Sequence, residues 1–245
     1  MGNIHAILLA GGEGKRFGST SPKQFLKLGG ESLLQRSARR FREWGFLKQI
    51  VVVSKSDWIP EVELELSSIL WEGDRIVEGG LTRHQSFLNG FHLLQKNIDD
   101  LVFIHDVARP FFLYSELDDL VHTTRSKGTA TLAESCPDTI ARGNLEINEI
   151  LNRENIWLIK TPQMATVSMI QNFLDQTSLK ELNSIGQEPT DLTSWAKDFG
   201  MESGIVETGF WNRKITNPGD LKLAESLLSS MKFLSSDLQE PSPKS

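Results

Sequence analysis

The feature that most restricts this chain is an apolar run ending in glycine and positive charge: Ile7-Leu8-Leu9-Ala10-Gly11-Gly12-Glu13-Gly14-Lys15-Arg16-Phe17-Gly18, followed by Pro22-Lys23-Gln24. A buried strand that feeds a glycine-rich loop brings backbone N–H groups close to an anion, and Lys15, Arg16 and Lys23 add neutralising charge. The spacing excludes the two best-known phosphate loops. A Walker loop requires Ser or Thr after Gly-Lys, and here Arg16 follows Lys15. The dinucleotide fingerprint G-x-G-x-x-G fails by one residue, because Gly12, Gly14 and Gly18 give G-x-G-x-x-x-G. That fold also wants an acid about 20 residues past the loop, at the end of the second strand. Here the second strand ends near Ser54, with no acid until Asp57. A dehydrogenase reading is set aside.

Beyond the loop, short apolar runs alternate with helical periodicity. Strands are expected at Ile4 to Ala10, Ile50 to Val53, Leu101 to Ile104 and Thr129 to Ala133. Helices are expected through Leu33, Leu34, Ala38 and Phe41 with Gly45 as a stop, and through Phe87, Leu88, Phe91 and Leu94. Further helical stripes run through Leu117, Leu120 and Val121, through Val167, Ile170, Phe173 and Leu174, and through Leu192, Trp195, Ala196 and Phe199. Asn217-Pro218 opens a last helix, with Asn as cap and Pro in the first position. Alternation of this kind predicts an α/β protein built on a single doubly wound, mostly parallel sheet. Ligands bind such sheets at the carboxyl ends of the strands, where the glycine loop and His105-Asp106 both fall.

At 245 residues the chain fits one large domain, taken as residues 1–234. The run 235–245 lacks core residues and is expected to be disordered. The formal net charge of −6 argues against a nucleic-acid partner. Between Ala10 and Gly30, however, four cations (Lys15, Arg16, Lys23, Lys27) face one acid, Glu13. A local positive site on an acidic protein suits a small phosphorylated ligand. Cys136 is the only cysteine, so neither a disulfide framework nor a cysteine-based zinc site is available within the chain. No apolar run reaches membrane-spanning length and no signal-peptide pattern opens the sequence, so a cytoplasmic protein with no membrane partner is expected.

The rhythm breaks at 137–153. Arg142-Gly143-Asn144 reads as a hairpin turn flanked by Thr139-Ile140 and Leu145-Glu146-Ile147. A two-stranded ribbon is marginal alone in water, so it must pack on something. Two readings stay open: a hairpin laid on its own domain, and an arm that clasps a second subunit.

Four more segments join the first loop: Glu78-Gly79-Gly80 with Arg83 and Ser86; His105-Asp106-Val107-Ala108-Arg109-Pro110; Asn152-Arg153 with Trp157 and Thr161-Pro162-Gln163; and Asn212-Arg213-Lys214-Ile215-Thr216. In this order and spacing, from Ile4 to about Leu228, the set resembles the 2-C-methyl-D-erythritol 4-phosphate cytidylyltransferase family of the non-mevalonate isoprenoid pathway. The resemblance implies a Rossmann-like nucleotidyltransferase fold and transfer of CMP from CTP to a polyol phosphate. It implies that Arg16, Lys23 and Lys214 stabilise the reacting α-phosphate. Nucleotide contacts fall to Ala10, Gly11, Gly12, Gly14, Gly80, Arg83, Ser86, Asp106 and Val107, with Asp106 also beside Mg²⁺. Polyol contacts fall to Arg109, Thr139, Arg153 and Thr190, and Arg153 is implied to serve the other subunit of a homodimer through the hairpin arm. Leu81, Trp211, Arg213 and the second glycine of Gly11-Gly12 depart from the usual family pattern, which keeps a ribitol 5-phosphate cytidylyltransferase open. A non-catalytic nucleotide sensor is the reading from a different class. Bland alternatives stand beside several residues: Asp106 capping a turn, Arg109 pairing Asp106, Asp191 as a helix cap, and His105 as a satisfied core histidine.

Overall fold

The computed structural model describes residues 2–12, 22–181 and 189–233. Glu13 to Ser21, with Gly14 and Arg16, and the 235–245 tail lie outside the described residues. A short antiparallel ribbon, β2 (Lys27–Leu28) with β3 (Glu31–Ser32), precedes the first helix, and the centre is a seven-stranded sheet. Its strands are β1 (Ile4–Leu9), β4 (Leu47–Ser54), β5 (Arg75–Glu78), β6 (Leu101–Asp106), β7 (Thr129–Ser135), β10 (Trp157–Thr166) and β11 (Gly204–Glu207). They lie in the order β11-β7-β10-β6-β1-β4-β5. Every neighbouring pair is parallel except those made by β10, which runs antiparallel to both β6 and β7.

Strand alternation sorts the core into two layers. Ala6, Leu8, Ile50, Val52 and Phe103 face one side, where α1 (Leu33–Trp44), α2 (Ile59–Leu66) and α4 (Tyr114–Lys127) bring Phe41, Val62 and Leu117. Ile7, Val51, Val53, Val102 and Ile104 face the other, covered by α3 (Arg83–His92), α5 (Val167–Glu181) and α6 (Leu192–Asp198) through Phe87, Phe173 and Trp195. Local chemistry sets the boundaries. Ser32 and Gln35 close a capping box at the start of α1, and Gly45 ends it in the left-handed region at φ 86°. Asp191 caps α6 by accepting from the Ser194 N–H, so the bland reading of that residue holds. Asn217 Oδ1 accepts from Asp220 N at 3.0 Å at the start of α7 (Pro218–Phe233), as the Asn-Pro pair predicts.

The sequence reading missed β10. Pro162 lies inside this strand, and proline within an apolar run argues against a central strand because it has no N–H to donate. The sheet accommodates it with a register shift against β7 between Ile159 and Gln163. The hairpin also differs in detail. Its strands are β8 (Ile140–Gly143) and β9 (Ile147–Leu151), joined by residues 144–146, so the turn sits later than the sequence suggests. Gly143 pairs with Ile147 after an irregularity at Arg142/Gly143, and a β-carbon there would fall 2.0 Å from the Glu146 carbonyl oxygen. Only glycine lets the strand close this way. The ribbon forms a separate two-stranded sheet, and its residues from Ala141 to Ile150 are exposed.

No described helix is long and apolar enough to cross a membrane. The helix that carries the next set of site residues sits very close to the sheet. A β-carbon on Gly90 of α3 would lie 2.8 Å from Ile7 Cγ2 and 2.9 Å from Val53 Cγ2. Gly90→Ala is therefore expected to push α3 off β1 and β4 and to cost about 1–3 kcal/mol of overpacking. A urea midpoint unchanged from wild type would contradict that contact.

Candidate active site

A cleft of about 920 Å³ opens at the carboxyl ends of β1, β4, β5 and β6. One wall is Ala10-Gly11-Gly12 with Lys23 and Gln24; another is Glu78 to Arg83 with Gln85 and Ser86; Asp106 to Ala108 and Lys214 form the floor. The sequence-derived residues Ala10, Gly11, Gly12, Lys23, Gly80, Arg83, Ser86, Asp106, Val107 and Lys214 thus share one cavity. Arg109, Thr139, Arg153 and Thr190 do not line it.

Glycine brings the backbone close on two walls and is sterically required at Gly80. A β-carbon on Gly12 would sit 3.0 Å from Lys23 Cε, so the lysine stem lies against that backbone. At Gly80 a β-carbon would fall 2.3 Å from Gln85 Cβ. The Gly79-Gly80 turn is fixed from α3: Gly80 N donates to Ser86 Oγ at 3.1 Å and Leu81 N to Gln85 Oε1 at 3.1 Å. Thr82 caps the helix by accepting from Gln85 N at 3.1 Å, which leaves Arg83 as its first residue.

Asp106 ends β6 on the face that carries α3. Lys214 Nζ lies 2.6 Å from its Oδ2, while Arg83 Nη2 and Nε lie 3.2 and 3.3 Å from Oδ1. Burial pushes this carboxyl up, but Arg83 and then Lys214 outweigh it and hold the group far below the usual carboxylate range. It is ionised at any working pH. Arg109 takes no part in that pairing; it donates to the Asn212 carbonyl at 2.9 Å, which corrects the reading of an Arg109–Asp106 bridge. The turn-cap reading of Asp106 fails too, because its carboxylate faces Lys214 and Arg83 and accepts from no backbone N–H of the following turn.

His105, one residue earlier, points to the opposite layer and is fully buried between Phe41 and Phe112. Its Nδ1 is 3.2 Å from Thr161 Oγ1, and the same hydroxyl accepts from Asp106 N at 3.1 Å. Burial lowers the imidazole to about 3, against a partial lift from Asp106. A neutral, packed histidine is what the sequence suggested.

Residues inside and outside the motifs seat the segment that carries Lys214. Glu116, buried on α4, accepts from Thr208 Oγ1 at 2.6 Å and Trp211 Nε1 at 3.2 Å. Asn212 Nδ2 donates to Thr161 O at 3.1 Å, and Ile215 N to Ala108 O at 2.8 Å. Lys160 pairs with Glu134 and reaches Gly209 O at 3.4 Å. Glu116, Glu134 and Lys160 gave no sequence signal, since each reads as an ordinary charged position on a helix or strand.

Among the described residues no group of three or more His, Cys, Asp or Glu gathers to hold a metal. The donor set fits a hard ion shared between one carboxylate, Asp106, and ligand phosphates; it does not fit a protein cage.

The family model for 2-C-methyl-D-erythritol 4-phosphate cytidylyltransferase matches residues 4–230, which spans all of these walls. The chain belongs to this family. The Leptospira interrogans 2-C-methyl-D-erythritol 4-phosphate cytidylyltransferase is 43% identical over 236 residues, 96% of either chain. The enzyme of the same name from Halalkalibacterium halodurans is 32% identical over 224 residues, 91% of this chain and 95% of that one. The crystal structure of the Francisella tularensis enzyme of that name matches with a TM-score of 0.72 at 27% identity, covering 91% of this chain and 99% of that one. The neutral His105 carries a stability cost in acid. Its folded value near 3 lies below the ordinary 6.5, so the unfolded chain binds the extra proton first. Stability from this residue is complete above pH 6.5 and is lost as pH falls towards 3. His105→Gln should flatten the fall in urea midpoint between pH 6.5 and 4; an equally steep profile would remove His105 as its source.

Proposed function

We propose that this protein transfers CMP from CTP to 2-C-methyl-D-erythritol 4-phosphate and releases pyrophosphate. What carries the reading is the meeting in one cleft of the Ala10–Gly12 turn, Lys23 and the Asp106–Lys214 pair, in a chain of this family. The names of relatives that span the chain favour methylerythritol phosphate over ribitol phosphate.

The chemistry follows from charge. A phosphate monoester with a second pKa of about 6 is mostly dianionic at pH 7, so it attacks the α-phosphorus without a general base. The bond from the α-phosphorus to the bridging oxygen breaks, and pyrophosphate leaves with that electron pair. Two anions must be brought together and the added transition-state charge stabilised, which calls for fixed cations and backbone N–H groups. Lys23 and Arg16 serve the triphosphate; Lys214, seated at its base by Asn212 and Ile215, serves the α-phosphate. Gly80 and Ser86 form the base end, with Arg83 and Asp106 between. Asp106 would hold a Mg²⁺ bound with the nucleotide, and the ion would neutralise charge on the phosphates.

The polyol end is completed by a second subunit. Leu145, Ile147 and Ile150 on the hairpin are 98%, 71% and 58% exposed, a costly display for a two-stranded ribbon that pairs only with itself. Thr139 and Arg153 sit at its base and are exposed; Arg153 donates to the Pro137 carbonyl. In a homodimer clasped by these arms, Thr139 and Arg153 reach the partner's cleft, where Arg109 and Thr190 line the approach.

Pyrophosphate release with CTP or UTP, against methylerythritol phosphate and ribitol phosphate, tests the assignment directly. Activity confined to ribitol phosphate would reject the substrate. Lys23→Ala and Arg16→Ala should each lower turnover by roughly 10²–10³ while leaving CTP affinity nearly intact. Near-normal turnover in either would reject that cation's role.

The shared site has its own test. Arg153→Ala should raise KM for the polyol phosphate. Mixed with Lys23→Ala protein, it should give heterodimers with one doubly damaged and one intact site, recovering towards half of wild-type activity. No recovery after confirmed subunit exchange would exclude an arm that serves the partner.

A further inference from the structure

Lys214 acts from a stretch, residues 208–217, that lies between β11 and α7 and has neither a ladder nor a helix to hold it. The reach of its ammonium is therefore set by the backbone on either side. After it, Ile215 N donates to Ala108 O at 2.8 Å. Before it the chain doubles back: Asn212 N donates to Gly209 O at 3.2 Å and Arg213 N to Trp211 O at 2.7 Å. The Trp211 ring lies on this bend, since a β-carbon on Gly209 would fall 2.2 Å from ring Cζ3. Trp211 departs from the usual family pattern, and none of the chemistry above uses it.

Glu116 meets the bend with one of its two oxygens. Oε2 accepts from Leu113 N at 2.8 Å and closes the start of α4. Oε1 is given wholly to the bend, taking Thr208 Oγ1 at 2.6 Å and Trp211 Nε1 at 3.2 Å. The residue is 4% exposed, and a buried carboxylate is costly. Capping the helix needs only one acceptor, which leaves the partners of the second oxygen unaccounted for. Through them α4, packed on the sheet by Leu117 and Leu120, is tied to the bend that precedes Lys214.

We propose that Glu116 and Trp211 are positioning residues for the reaction: their hydrogen bond fixes the bend that sets where the Lys214 ammonium meets the reacting phosphate. The inference rests on the reading of Lys214 as the cation at the α-phosphate. That cation acts on charge that grows in the transition state, so a small displacement is felt in turnover and hardly in nucleotide affinity.

Trp211→Phe keeps an aromatic ring on Gly209 and removes the indole N–H. Its kcat for pyrophosphate release with CTP and methylerythritol phosphate should fall about tenfold, the size of one hydrogen bond. KM for both substrates, and Kd for CTP with Mg²⁺ by calorimetry, should stay within about twofold. The same substitution is then made in Lys214→Ala protein. There it should cost less than about twofold, because the group it positions is gone. Thr208→Val removes the other donor to the same oxygen at constant shape and passes through the same cycle, so a variant that does not fold is replaced by the other. An equal loss with and without Lys214 would overturn the proposal, since it would show a general weakening of the fold. So would wild-type kcat in the folded variants, or a loss confined to KM. Wild-type turnover in Lys214→Ala alone would instead strike the reading of Lys214, which separates the two.

Discussion

The site is organised by one carboxylate held between two cations. Asp106 reaches the cleft because β6 places it one residue past His105 on the alternate face, and it takes Arg83 from α3 and Lys214 from the segment after β11. These three groups come from positions far apart in the chain. Arg83 and Lys214 would repel each other in so small a volume without the carboxylate between them. The carboxylate, in turn, would not remain charged at 14% side-chain exposure without the cations. Each explains the placement of the others.

Such a cluster stays in register only if its backbones cannot drift. Two networks supply that, one on each layer. On the α3 side, Thr82 caps the helix while Gln85 and Ser86 hold the glycine turn ahead of it, so Arg83 and the Gly79-Gly80 wall move together. On the other side, Glu116 takes two donors from the lysine-bearing segment, and Asn212 ties it to β10 through Thr161 O. Thr161 then links back to His105 and to the Asp106 N–H. The buried polar residues of this region are therefore supports for the charges at the cleft, and the fold accepts a neutral histidine and a proline-interrupted strand to provide them.

Binding two polyanions from an acidic chain requires that positive charge be concentrated where the backbone is most open. The glycine turn and Lys23 do so at the carboxyl end of β1, in the cleft that parallel strands create by their topology. The hairpin contributes differently: it leaves Leu145, Ile147 and Ile150 exposed among polar neighbours, and the proposed dimer arm rests on that display.

Much of this was legible in one dimension because local rules carry it. The β1 run, the Gly45 stop, the Asn217-Pro218 start and the strand–helix alternation all follow from periodicity and capping, and they fix an α/β sheet with its ligand at the strand ends. The glycine loop with its cations pointed to a phosphorylated ligand, and the family resemblance, not composition, assigned Arg16, Lys23 and Asp106 to it. Tertiary structure decided what depends on long-range pairing. β10 was hidden by Pro162, whose missing N–H is tolerated only because β10 slips register against β7. The partner of Asp106 turned out to be Arg83 and Lys214 and not Arg109, since sheet order sets which cation arrives there. Glu116 became visible only once burial was known: a charged side chain on a helix says nothing in sequence about whether water will reach it.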